Sequence, residues 1–267
     1  MSKSIGFVYN PDFIPGFDFS LDYYKIELNQ EITAIPVETI LNGCYLHGNG
    51  TDCNLITVSG KSITDILDTN TNIGGIKTDG FDLSTHYKFP STSVGDFKFG
   101  LDITFLRDFV QTIPNSGSPT GFSSTQLGGT TTAFGGFPKQ KANASLNWNY
   151  GDWSASWTAQ FIGAMYEPCT LATDPAPLGR SECSNPGPIS PSKQAYKYGS
   201  NYLGKTIYHD VMGSYHVDSL NTDFSLGIRN LFDKQPPTAI TAFANSFLPA
   251  FYRVPGREFY GRISVKF

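Results

Sequence analysis

Charge is scarce in this chain of 267 residues, where Asp, Glu, Lys and Arg together make up 16%, against roughly a quarter of an ordinary soluble domain. A surface so poor in ions is not built to meet water on every side. Basic residues are not in excess either. Nineteen Lys and Arg stand against 23 Asp and Glu, for a net charge of −4. That balance leaves no basic face, so nucleic acid is excluded as a partner. Long apolar runs are missing too, and nothing approaches the ~18 to 20 residues of a spanning helix, which rules out a helical membrane protein. Composition likewise excludes collagen, coiled coil and disordered polymer.

Cysteine is sparse, with four residues. Cys44 and Cys53 bracket one polar loop, and Cys169 and Cys183 bracket another. Four cysteines allow three pairings; two local bridges are the simplest, and bridges require an oxidising compartment. Met1-Ser-Lys-Ser leads only into Ile5-Gly-Phe-Val-Tyr9 and then Asn10-Pro11. That run is too short for a secretory signal and has no small-residue cleavage site. The two expectations agree only if the chain is a piece of something longer. Catalytic constellations are lacking as well. His47, His86, His209 and His216 have no paired metal spacing. Tyr208-His209-Asp210 has no activated Ser motif beside it. Gly128-Gly129 and Gly135-Gly136 lack the following Lys and the strand-to-helix setting of a phosphate cradle. An enzyme is not expected, nor is a cofactor.

Aromatic residues, at 14%, and 27 Gly are what the chain has in quantity, and its periodicity is two. Phe259, Gly261, Ile263, Val265 and Phe267 alternate with Glu258, Tyr260, Arg262, Ser264 and Lys266. Successive side chains of a strand point to opposite sides, so one face is apolar and the other polar. The same alternation runs through Phe97 to Phe105, Ala142 to Tyr150, Trp153 to Phe161, Phe81 to Phe89 and Phe224 to Ile228. A soluble sandwich would pack the apolar face against a second sheet, whereas a membrane barrel turns it to lipid. Segment length favours lipid, because ~9 to 11 tilted residues span a bilayer. So do aromatics near segment ends: Tyr23-Tyr24, Tyr87, Phe89, Trp148, Tyr150 and Trp153.

Connections alternate between short and long. Pro90 to Gly95, Gly151-Asp152 and Val217 to Asn221 are tight. Gln30 to Asn72, Thr112 to Gly136, Glu167 to Asn201 and Asp233 to Pro255 are long polar excursions. Short turns on one side and long loops on the other are the habit of outer-membrane barrels. About nine spanning segments result: Ile5 to Asn10, Phe17 to Leu28, Ile76 to Phe89, Phe97 to Phe109, Lys141 to Tyr150, Ser154 to Met165, Tyr208 to Val217, Thr222 to Phe232 and the final strand. Parity holds if residues 30–72 are one external loop. It would contain a short helix around Ile35 to Leu41, then a hairpin from Leu55 to Val58 and Ile63 to Leu67. Residues 166–201 form a second external loop.

The carboxyl end, Leu226-Gly-Ile-Arg-Asn-Leu-Phe-Asp-Lys-Gln-Pro-Pro237 and Val254-Pro-Gly-Arg-Glu-Phe-Tyr-Gly-Arg-Ile-Ser-Val-Lys-Phe267, resembles the terminal signature of TonB-dependent outer-membrane receptors. Asn230, Leu231, Phe232 and Asp233 match the run before the last external loop, and Pro255, Gly256 and Arg257 match the opening of the final strand. Gly16-Phe-Asp-Phe-Ser-Leu-Asp-Tyr-Tyr-Lys-Ile26 and Asn72-Ile-Gly-Gly-Ile-Lys-Thr-Asp-Gly-Phe-Asp-Leu83 also look like late barrel strands of the family. The resemblance implies an all-β fold: an antiparallel up-and-down transmembrane β-barrel segment, about nine strands of a 22-stranded plugged barrel. Residues 1–267 would be the carboxyl-terminal portion of that barrel, since neither the plug nor the box that binds TonB is visible.

The location implied is the bacterial outer membrane, and the role is part of a receptor that imports a scarce nutrient with energy from TonB. A ferric siderophore or similar chelate, cobalamin or a carbohydrate would be the ligand. Implied partners are outer-membrane lipid, the barrel-assembly machinery, and the TonB complex only through a plug missing from this chain. The assembly machinery would read Phe259, Ile263, Val265 and Phe267. The external loops bind substrate in this family, which puts Tyr166, Arg180, Tyr196 and Tyr202 near the mouth. A passive or structural outer-membrane barrel and a secreted β-sandwich binding module are the alternatives.

Overall fold

A computed structural model describes residues 1–35, 37–68, 70–72, 74–114, 122–132, 135–168, 200–240, 242 and 246–265. The chain opens with β1 (Ser2–Tyr9) and β2 (Phe17–Asn29). It continues through β3 (Ile32–Ala34), helix α1 (Val37–Tyr45), the helical turn α2 (Gly50–Cys53), β4 (Ile56–Ser59), β5 (Ser62–Ile66) and β6 (Asn70–Asn72). Two long strands follow, β7 (Gly75–Lys88) and β8 (Asp96–Pro114), then β9 (Phe122–Gln126), β10 (Thr131–Thr132) and β11 (Gly135–Gly136). The last part holds β12 (Gln140–Tyr150), β13 (Trp153–Ile162), β14 (Met165–Pro168), β15 (Ser200–Leu203), β16 (Thr206–Val217), β17 (Thr222–Arg229) and β18 (Glu258–Val265).

One ten-stranded sheet dominates, in the order β1-β2-β7-β8-β12-β13-β16-β17-β18, with β9 paired to β8 off the main path. The nine strands of that path coincide with the nine expected segments. They follow one another in chain order, as an up-and-down meander does. Among the described residues the order ends in β1 and β18, so the sheet is not closed into a cylinder.

Differences from expectation lie at strand ends. β8 runs to Pro114 and pairs with β9, Val110 opposite Gln126 through Pro114 opposite Phe122. The span from Thr112 to Gly136 is therefore not one polar excursion, because strand hydrogen bonds continue into it. β17 stops at Arg229 rather than Phe232, because Asn230 takes a left-handed φ of 51° and leaves the ladder.

Two compact units divide the chain. The first comprises Met1–Lys3, Lys25–Asp79 and Asp108–Leu127. It holds a small module between β2 and β7. β3 pairs with β6, β4 pairs with β5, and α1 buries Ile40 completely. The expected helix is present but sits later, at Val37–Tyr45, and the expected hairpin is β4–β5. Cys44 and Cys53 form a disulfide. Between them Asn49 caps α2 by accepting from the Thr51 N–H at 3.1 Å, and its amide donates to the Asp52 carboxylate at 2.8 Å. A Cβ on Gly43 would overlap that carboxylate, so α1 and α2 approach where only Gly fits.

The second unit comprises Ser4–Tyr24, Gly80–Arg107 and Gly128–Phe267. Its ladder of β8, β12, β13, β16, β17 and β18 is antiparallel and in continuous register. Phe99, Leu146, Trp157, Val211, Ile228 and Phe259 make one row on one face. The row through Asp96, Asn149, Ser154, Ser214, Ser225 and Arg262 lies on the other. The apolar rows stay open: Leu226 is 76% exposed, Phe259 71% and Ile263 67%. A sandwich would cover these side chains with a second layer. The other sheets among the described residues have only two strands each.

The two-residue turn Gly151-Asp152 joins β12 to β13, with Gly151 at φ 54°. A single 3-10 turn, Asp218–Leu220, joins β16 to β17. At that end Tyr150, Trp153, Tyr215, Phe224 and Ile263 form a cross-strand row. Trp153 and Tyr215 lie 4.6 Å apart between ring centroids. The dry core sits toward the opposite end, where Ile162, Met165, Leu203, Tyr208, Ala239, Leu248 and Tyr252 pack together.

Candidate functional site

The two halves of the terminal motif, Asn230 to Asp233 and Pro255 to Arg257, meet in space. Asn230 is almost fully buried, and its side chain closes a local ring. Its amide donates to the Lys234 carbonyl at 3.1 Å, and its carbonyl accepts from the Lys234 N–H at 2.8 Å. Asn and Asp tolerate left-handed backbone and bond to the main chain nearby, and Asn230 and Asp233 both adopt φ 51°. The Asp233 carboxylate then accepts the Arg257 backbone N–H at 2.9 Å, which joins the start of the loop to its end. Gly256 lies so close to that carboxylate that a Cβ would overlap it. The Leu231 N–H donates to the His209 carbonyl at 2.7 Å, and the exposed Phe232 ring sets its edge on the His209 ring. Pro255 is exposed at the turn before β18.

A second lock stands on the polar face, and the sequence pattern did not reveal it. Arg253 donates through Nη1 to both oxygens of Asp210 at 2.8 Å each, and through Nη2 to Gln160 at 3.3 Å. Its backbone N–H donates to the Tyr208 hydroxyl at 3.2 Å, and its guanidinium lies 5.3 Å from the Tyr208 ring centroid. Asp210 also accepts the Asn230 N–H at 2.8 Å, so both locks share one carboxylate. The only available signal was Asp210 itself, a lone acid on the polar side of β16. Its partner lies 43 residues away. Beside them Tyr252 is buried, and its hydroxyl has no hydrogen-bond partner among the described residues. Burial, reinforced by the neighbouring Tyr208, pushes the Tyr252 phenol up to about 12.

Tyr166 and Tyr202, two of the four residues expected near a mouth, stand directly opposite each other on β14 and β15. Their ring centroids are 5.3 Å apart and both are exposed. Beneath them the fully buried Glu167 accepts from Asn201 at 2.8 Å. Arg180, Tyr196, Cys169 and Cys183 lie outside the described residues, as does Phe267. Phe259, Ile263 and Val265 project from one face of β18, all exposed. On the polar face His86 sits 3.0 Å from Asp18, and His216 contacts Asp223 at 2.7 Å and Asp218 at 3.3 Å. Among the described residues no cluster of His, Cys, Asp and Glu is placed to hold a metal ion.

The family described as TonB dependent receptor-like, beta-barrel matches residues 1–231. The chain belongs to that family. TonB-dependent receptor barrels are proteins of the Gram-negative outer membrane, which accounts for an apolar face left open to its surroundings. Solved structures agree on the fold. The FrpB iron transporter from Neisseria meningitidis superposes with a TM-score of 0.56 at 12% identity, over 100% of this chain and 31% of that one. The ferric enterobactin receptor PfeA from Pseudomonas aeruginosa, solved with enterobactin, gives 0.55 at 16% identity, over 98% and 30%. The copper transporter OprC gives 0.50 at 14% identity, over 100% and 31%. The chain thus spans about a third of the length of these receptors. A search of curated protein sequences finds no match.

Proposed function

We propose that this TonB-dependent receptor barrel forms part of the wall of an outer-membrane importer for a scarce, bulky nutrient, a ferric chelate first among candidates. The observation that carries the reading is the separation of the two faces across β8 to β18. Apolar rows stay exposed on one side, and rows of Ser, Asn, Asp and Arg fill the other. A strand sheet so divided suits lipid outside and a polar lumen inside. Unpaired edges are not tolerated in hydrocarbon, so β1 and β18 are covered by further strands of the same barrel, in keeping with relatives about three times as long. Import is energised by TonB acting through a plug held in that lumen.

Iron as the cargo is supported by the neighbours named for iron and ferric enterobactin. Residues 30–72 and 166–201 serve as external loops, with Tyr166 and Tyr202, and with Arg180 and Tyr196, at the mouth. Phe259, Ile263, Val265 and Phe267 carry the signal read by the assembly machinery. The test is uptake of radiolabelled ferric chelates by iron-starved cells with the gene intact, with the gene deleted, and with TonB disabled. Uptake lost in both altered strains is expected. Unchanged uptake of every iron complex would overturn the iron assignment and move the search to cobalamin or carbohydrate.

A further inference from the structure

The apolar face of the second unit is not uniform. One row inside the aromatic band, the register sets Trp148, Ala155, Gly213, Leu226 and Gly261 side by side. Three of these five are the smallest residues available, while the next row carries Leu146, Trp157, Val211, Ile228 and Phe259. Small side chains beside large ones leave a groove of about 850 Å³, open along one side. That size lies within the ~300 to 1,000 Å³ of ordinary ligand pockets. A Cβ added to Gly213 would meet nothing within 4 Å, so the floor there is empty space rather than close packing.

The chemistry of the lining selects the occupant. Two indole N–H groups border the groove, and both are already satisfied. Trp148 Nε1 donates to the Val94 carbonyl at 2.7 Å, and Trp157 Nε1 donates to His209 Nδ1 at 3.2 Å. Ser156 and Tyr260 also border it, from the row that the register places on the polar face, and the rest of the lining is hydrocarbon, ring faces and glycine backbone. Its depth points the same way. The neighbouring row of Tyr150, Trp153 and Tyr215 marks the headgroup level, as aromatic girdles do. Two residues along a strand is a step of about 7 Å, which places the groove at the start of the acyl region. We propose that this groove seats a single acyl chain of an outer-membrane lipid, held as a bound ligand rather than exchanging with the surrounding bilayer. The proposal rests on the reading of this face as lipid-facing.

The test uses the protein as its cell makes it. Cells are fed a diazirine-bearing fatty acid that enters membrane lipids, irradiated, and washed with mild detergent before adducts are mapped by mass spectrometry. Adducts on Leu146, Val211, Ile228 and Phe259 are expected to exceed those on Phe99 and Phe161 several-fold. They should fall to the level of those outer positions in Gly213→Leu, which fills the groove, and by less in Gly213→Ala. Equal labelling of all outward positions, unmoved by either substitution, would overturn the proposal and leave the barrel reading standing. Labelling absent from every outward position would instead defeat the barrel reading. A protein cross-linked in the groove would replace the lipid with a different occupant and overturn the proposal as well.

Discussion

Asp210 ties the end of β17 and the last long loop to one carboxylate. Its carboxylate takes both Arg253 bonds and the Asn230 N–H, so it holds the last long loop at two points. The pair is partly open to solvent, at 35% and 23% side-chain exposure, which keeps it below a fully buried pair in worth. A double-mutant cycle of Asp210→Ala and Arg253→Ala, read by thermal unfolding in detergent, should return a coupling of about 1–2 kcal/mol. Arg253→Lys should keep the charge but weaken the lock, because one ammonium does not replace Nη1 on Asp210 and Nη2 on Gln160 together. Additive single effects would show that the lock is only a contact.

Tyr252 gives the opposite prediction. Its hydroxyl is buried with no partner among the described residues, and such a group costs about 1–3 kcal/mol. Tyr252→Phe should leave the protein as stable or more so at neutral pH. The sign of the pH dependence follows from the raised phenol, pushed up to about 12 from its ordinary 10. Folding then favours the protonated form. That stability is complete below pH 10, where both states keep the proton, and is lost as pH rises toward 12. Melting temperature followed from pH 9 to 12 should fall more steeply in the wild type than in Tyr252→Phe.

At the scale of elements, the first unit's helical module depends on its bridge. Cys44 and Cys53 are nine residues apart and enclose α2 with its Asn49 cap. Opening so small a loop costs roughly 2–3 kcal/mol on the loop-entropy account. The double variant Cys44→Ser/Cys53→Ser should therefore exchange amide hydrogens faster in α1, α2 and the β4–β5 hairpin, while β12 to β17 keep their protection. The helix was legible because Val37, Ile40, Leu41 and Cys44 repeat at helical spacing. Its start lies two residues later than expected, directly after Pro36 in the sequence, a residue type that favours the beginning of a helix. The strands were legible for a simpler reason. Trp153, Ala155, Trp157, Ala159 and Phe161 alternate without interruption, and β13 runs from Trp153 to Ile162. β9 escaped notice because Phe122-Ser-Ser-Thr-Gln126 has only one apolar residue, and its pairing with β8 supplies the order that periodicity lacks.

For the whole molecule, facing decides tolerance. Leu226 and Ser225 are adjacent in β17 and project to opposite sides. Leu226→Lys should lower accumulation of folded protein in the outer membrane, since Lys on the lipid side costs between about 1 kcal/mol near the interface and about 2–4 kcal/mol at mid-bilayer, and Leu226 lies one row in from the aromatic band. Ser225→Lys should be assembled normally, as its neighbour across the ladder is Arg262. Heat-modifiable migration of outer-membrane fractions on gels separates the outcomes, and equal behaviour of the two variants would contradict the assignment of faces. The alternation of residue types alone dictated where the nine strands of the main path lie and gave them two unlike faces, because strand geometry is local and repeats every second residue. That no second sheet covers the apolar face became visible only in the assembled ladder, in which Leu226, Phe259 and Ile263 remain uncovered among the described residues. The Arg253–Asp210 lock, the meeting of Asp233 with Arg257, and the groove beside Gly213 likewise belong to tertiary structure. Each joins residues whose separation along the chain carries no local signal of their approach.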